Sequence, residues 1–142
     1  DNSTALYDVI DFFNVMAYNW QKEPTSSDHP FPPASAKAMT TLAAYGIPKT
    51  KINLGIGWYT TSQGAVCSMP PACLDGLKTS PNSNICGELQ YDGPAMSYNM
   101  AQWAAVNGWG GVMQFCVNYD YHNALLTPLG EGLRNGTAQR TV

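Results

Sequence analysis

The sequence predicts an α/β fold built on a parallel sheet, either doubly wound or part of a barrel. Two observations carry this. Strand-like apolar runs alternate with amphipathic helical patterns along the chain, which requires helical crossovers between parallel strands. Each of the three predicted strands also ends in aromatic and polar residues, the mark of the carboxyl-end face where ligands bind in such folds. No glycine-rich phosphate loop follows any of them, so a nucleotide-binding sheet is not indicated.

The first strand is read in Asp11 to Trp20, where Phe12, Phe13, Val15, Met16 and Ala17 form a near-continuous apolar run. Such a run fits a strand covered on both faces. Alternation places Asn14, Met16 and Tyr18 on one face and Phe13, Val15 and Ala17 on the other. The half-polar face calls for a hydrogen-bonded core network or a barrel interior near its mouth. Residues Ala5 to Ile10 read as the tail of a helix, and Gln21 to Pro33 as a proline-bearing loop.

A helix is predicted over Ala34 to Tyr45, with Ser35 as N-cap, a stripe of Ala38, Leu42 and Tyr45, and Gly46 and Pro48 as its stop. Lys51 to Tyr59 alternates as a second strand through Ile52, Leu54 and Ile56 and ends in Trp58 and Tyr59. Thr60 to Gly93 reads as a long irregular loop carrying three cysteines, a length that is usually functional or cross-linked. Pro94 to Val106 is a helix opened by proline, with Met96, Met100, Trp103 and Ala104 in its apolar stripe. After a tight turn at Gly108 to Gly111, Val112 to Val117 is the third strand, followed by Asn118, Tyr119 and Asp120. Asn123 to Leu133 closes the series as a helix with a polar tail behind it.

Composition limits the function classes. The chain has 142 residues, which makes a single domain but falls short of the ~200 or more that a complete eight-stranded barrel takes. Charged residues make up 12%, net charge is -3 and no Lys or Arg cluster occurs, which argues against nucleic acid and against an anionic membrane surface. No apolar run reaches membrane-spanning length. Low charge, abundant Ser, Thr, Asn and Tyr, and sequons at Asn2 and Asn135 point to a secreted protein. Cysteines fit the same compartment. At least one disulfide is expected among Cys67, Cys73 and Cys86, whereas Cys116, inside the third strand, is expected as a buried thiol. His29 and His122 are isolated and no close Cys-x-x-Cys pair occurs, so neither a metal nor another cofactor is expected.

Three segments carry a resemblance to a known family. Asp11-Phe12-Phe13-Asn14-Val15-Met16-Ala17-Tyr18-Asn19 is similar to the sixth barrel strand, with its Met-x-Tyr-Asp/Asn motif, of the family 18 glycoside hydrolases, the chitinases and chitinase-like proteins. Lys51 to Thr60 resembles the seventh strand, with Gly57 in place of Pro and Thr60 in place of Gly. Gly110-Gly111-Val112-Met113-Gln114-Phe115 resembles the eighth, with Phe115 where Trp is usual, and Asp120 matches a later Asp. The resemblance implies the C-terminal portion of a TIM (β/α)8 barrel, spanning strands six to eight with their helices over residues 1–142, with the cysteine-bearing loop at about 60–93. The family's Asp-x-x-Asp-x-Asp-x-Glu signature is absent, so the general acid is expected outside this chain. The first five strands are expected in a missing segment or a second chain.

What the resemblance implies for chemistry is substrate-assisted retention, in which the sugar's N-acetyl oxygen attacks the anomeric carbon. Tyr18 matches the Tyr that binds the N-acetyl group and stabilises the charged intermediate, and Asn19 a position beside the sugar or the catalytic carboxylates. Phe115 matches the aromatic floor under the sugar, smaller here than Trp and lacking its N–H. Trp20, Trp58 and Tyr59 are candidate subsite residues, and Met16 and Met113 are expected in the barrel interior. The short cysteine loop implies a shallow cleft and internal cleavage of chitin or another N-acetylglucosamine-containing glycan. A lectin-like member that binds such glycans without cleaving them is the alternative.

Overall fold

The computed structural model describes residues 8–17, 33–59, 71–80, 82–86 and 89–141. Strand β1 (Phe13–Val15) is followed by helix α1 (Pro33–Ala44), strand β2 (Ile52–Gly57), helix α2 (Pro71–Thr79), the short strands β3 (Ile85–Cys86) and β4 (Leu89–Gln90), helix α3 (Pro94–Val106), strand β5 (Gly111–Phe115) and helix α4 (Leu126–Arg140). The sheet has the order β1-β2-β5, and both pairings are parallel. The predicted alternation of strands and helices therefore holds.

The register explains which residues form the core. Val15, Leu54 and Val112 pair across the sheet, and Ile52, Leu54 and Ile56 are fully buried. They share the helix-covered face with Phe13, and meet Met39 of α1 and Met100, Ala101 and Ala104 of α3. Pro94 occupies the first turn of α3 behind Gly93, as its missing N–H permits.

Several boundaries differ from those the local sequence predicts. Among the described residues the first strand is only Phe13–Val15, with Ala17 N–H turning back to the Val15 carbonyl at 2.9 Å. Ser35 is not an N-cap: it lies inside α1, buried, and its hydroxyl donates to the Ala17 carbonyl at 2.8 Å, tying α1 to the end of β1. The segment predicted as an irregular loop contains α2 and the antiparallel pair β3–β4, joined by a disulfide between Cys73 and Cys86. Cys116 lies just past β5 rather than within it, and is a free, half-buried thiol.

The largest difference is at α4, which starts three residues later than predicted and runs on to Arg140, through the stretch read as a polar tail. Arg134-Asn135-Gly136 signals a turn locally. Packing overrides it. A Cβ on Gly132 would collide with the Tyr98 carbonyl, and one on Gly136 would lie 2.5 Å from the Gln102 carbonyl and 2.8 Å from Ala105 Cβ. The two glycines, one turn apart, let α4 lie directly on the backbone of α3. Asp120 fastens the other end, its two carboxylate oxygens accepting the Leu125 and Leu126 N–H groups at 2.8 and 3.1 Å.

Candidate functional site

Parallel pairing brings the carboxyl ends of all three strands to one edge. The residues not turned toward the helices form the opposite face: Asn14 pairs with Asn53, Asn53 with Gly111, Gly55 with Met113 and Gly57 with Phe115. The polarity expected on this face is present and satisfied, since Asn53 Nδ2 donates to Asn14 Oδ1 at 3.1 Å. Gly55 and Gly57 carry no side chain, so the middle of the face is a shallow trough with Phe115 beside it at its carboxyl end.

Phe115 is 45% exposed. Its backbone is fixed, because its carbonyl accepts the Trp58 N–H at 2.8 Å. Its ring meets Tyr59 edge-to-face, centroids 6.1 Å apart at 84°. This is an apolar ring offered to solvent and held from behind by Tyr59.

Trp58 and Tyr59 require correction as subsite residues. Trp58 is 0% exposed and its indole N–H donates to the buried Ser97 hydroxyl at 3.1 Å. The physical reason is the two-residue period, which carries Trp58 to the same side as Ile52, Leu54 and Ile56, against α3. Tyr59 is 3% exposed and supports Phe115 rather than offering a face of its own. Met16 is 66% exposed, one residue beyond β1. Tyr18, Asn19, Trp20, Cys67 and Asn2 lie outside the described residues. Asn135 is exposed on α4, its amide nitrogen donating to the Tyr98 hydroxyl at 3.0 Å.

A residue the sequence reading did not single out is Asp92. It precedes the Gly93-Pro94 start of α3, and its carboxylate accepts the backbone N–H of Gly57, the last residue of β2. Burial pushes its carboxyl up to about 6, against the opposing effect of the Gly57 hydrogen bond. Burial likewise raises the neighbouring Tyr91 hydroxyl, with the Ser83 side-chain hydrogen bond opposing it. A lone acid just ahead of an apolar, proline-initiated helix was the available signal. Among the described residues no group of three or more His, Cys, Asp or Glu converges to hold a metal ion.

The described residues thus form a three-stranded parallel sheet with Phe115 and the Asn14–Asn53 pair on the face turned away from the packed helices. Comparison with solved structures specifies the barrel. The chain superposes on the GH18 chitinase ChiB of Flavobacterium johnsoniae with TM-score 0.71 and 20% identity, covering 93% of this chain and 45% of that one. A chitinase from Rhizomucor miehei gives TM-score 0.69 at 20% identity, over 93% and 48% of the two chains. The class V chitinase from Nicotiana tobaccum, solved as a mutant in complex with NAG4, gives 0.62 at 15%, over 92% and 51%. Neither a protein-family model nor a curated protein sequence matches the chain. The fold is thus that of the chitinase barrels over part of their length, and the chain spans about half the length of the solved structures it matches.

Proposed function

We propose that the chain is part of a secreted chitinase-type glycoside hydrolase that cleaves β-1,4 linkages between N-acetylglucosamine units by substrate-assisted retention. The observation that carries this is Phe115, half exposed at the carboxyl end of β5 beside the Gly57 trough, in a fold shared with chitinases. Tyr18 and Asn19, a few residues beyond the end of β1, would hold the N-acetyl group, and a Glu outside this chain would protonate the leaving oxygen. The rest of the barrel would cover the face of Asn14, Asn53 and Met113 that the helices leave open. The Cys73–Cys86 disulfide supports an oxidising compartment, and so an extracellular location.

Hydrolysis of an N-acetylglucosamine oligomer by the intact protein tests this. The expected result is cleavage with retention at the anomeric carbon and a loss of kcat of about a hundredfold or more in Tyr18→Phe, since a preorganised donor to developing charge is removed. Full activity in Tyr18→Phe would remove Tyr18 from the mechanism. One observation favours a second reading, glycan binding without cleavage: Phe115 offers a smaller platform than Trp and no N–H. Tight oligomer binding with no hydrolysis under any condition decides for it.

A further inference from the structure

We propose that Asp92 is a positioning residue for the sugar-binding face: its carboxyl closes the gap left where β1 leaves the sheet and so holds the end of β2 in place beneath Phe115. This rests on the glycan-binding reading above and deepens it.

The gap follows from strand geometry. In a parallel sheet each residue directs its N–H and C=O to one side and the next residue to the other. The Trp58 N–H goes to Phe115, on the β5 side, so the Gly57 N–H points to the β1 side. There β1 has already ended at Val15, paired with Leu54, so among the described residues no strand residue stands opposite Gly57. Asp92 supplies the missing acceptor from a different element, the segment leading into α3.

Asp92 is itself held firmly. The Gly93 N–H donates to Asn84 Oδ1 at 3.0 Å, and the Tyr91 N–H to the Asn84 carbonyl at 3.0 Å. A Cβ on Gly93 would lie 2.5 Å from the Ser83 carbonyl, so this approach of two backbones requires glycine. Asn84 lies two residues before Cys86, whose disulfide to Cys73 fixes it to α2. On the far side, the Ser97 hydroxyl accepts the Trp58 indole N–H and donates to the Asp92 carbonyl at 3.5 Å. A continuous set of bonds therefore runs from the disulfide through Asn84 and Asp92 to Gly57 and Trp58, and from Trp58 to the carbonyl of Phe115. The short cysteine-bearing segment acts here as a brace behind the sugar platform.

Amide hydrogen exchange and oligosaccharide binding on the intact protein test this together. In Asp92→Ala the peptide containing Gly57 to Tyr59 is expected to exchange about tenfold or more faster, with Ile52 to Leu54 unchanged, because one charge-assisted hydrogen bond is lost at the strand end alone. KM for an N-acetylglucosamine tetramer, or its dissociation constant, rises three- to tenfold while kcat stays within twofold. Asp92→Asn keeps an oxygen acceptor and restores both readouts to near wild type, and it serves alone if the alanine variant does not fold. Unchanged exchange at Gly57 to Tyr59 in Asp92→Ala overturns the assignment. So does an Asp92→Asn protein whose exchange at these residues and KM depart from wild type as an alanine would make them. A wild-type protein that binds no tetramer refutes the glycan reading instead, and the exchange result still decides whether Asp92 holds the strand.

Discussion

Replacing Trp58 separates a core role from a sugar-binding one. The indole is fully buried between β2 and α3, and its N–H is bonded to Ser97 Oγ at 3.1 Å. Burying a side chain of this size removes roughly 200 Å² from water, worth about 5 kcal/mol at ~25 cal/mol per Å². Truncation to alanine at such sites costs about 3–5 kcal/mol, a large share of a domain's total stability. Trp58→Phe keeps most of the packing but loses the hydrogen bond, at about 1 kcal/mol, plus the unfilled volume of the second ring. The assay is urea unfolding of both variants, read beside tetramer affinity under conditions where each is folded. The expected order is wild type, then Trp58→Phe, then Trp58→Ala in midpoint, with folded Trp58→Phe binding the tetramer as wild type does. A Trp58→Ala protein that unfolds at the wild-type midpoint but no longer binds sugar would refute the core assignment and return Trp58 to the cleft.

Three further outcomes are expected. Because the Asp92 carboxyl lies near 6 in the folded chain against 3.8 when unperturbed, the folded state holds a proton that the unfolded state has released between these values. Its contribution is therefore most favourable below about pH 4 and falls by ~3 kcal/mol as pH rises through 6. Denaturant midpoints of Asp92→Asn, compared with wild type from pH 4 to 7.5, should show this dependence removed; parallel curves would contradict it. Gly136→Val places a side chain where the Gln102 carbonyl already stands at 2.5 Å, so α3 and α4 must separate, and thermal unfolding should reveal a loss of about 1–3 kcal/mol or more. Opening the Cys73–Cys86 bridge by Cys73→Ser frees a loop of sequence separation 13, for which chain entropy implies about 3 kcal/mol, measured by denaturation of the variant against the oxidised protein.

The sequence by itself determined the alternation of the three parallel strands with the helices packed on them. Periods of two and 3.6 residues are local properties of the chain, so β2, α1 and α3 were legible to within a residue or two, as was a cross-link among the loop cysteines. The similarity of three strand motifs to chitinase-type barrels was legible too, and the superposition agrees with it in fold. The tertiary structure decided what depends on neighbours distant in sequence. Asn135-Gly136 looks like a stop until α3 is laid against it, and then Gly136 is the residue that allows close packing. Trp58 is as aromatic as Phe115, yet register sends one into the core and the other to the open face. Asp92 shows the same limit most clearly: a lone acid ahead of the Gly93-Pro94 helix start marks its place in the chain, but its proposed role depends on β1 ending at Val15 among the described residues, which leaves the Gly57 N–H to be met from another element.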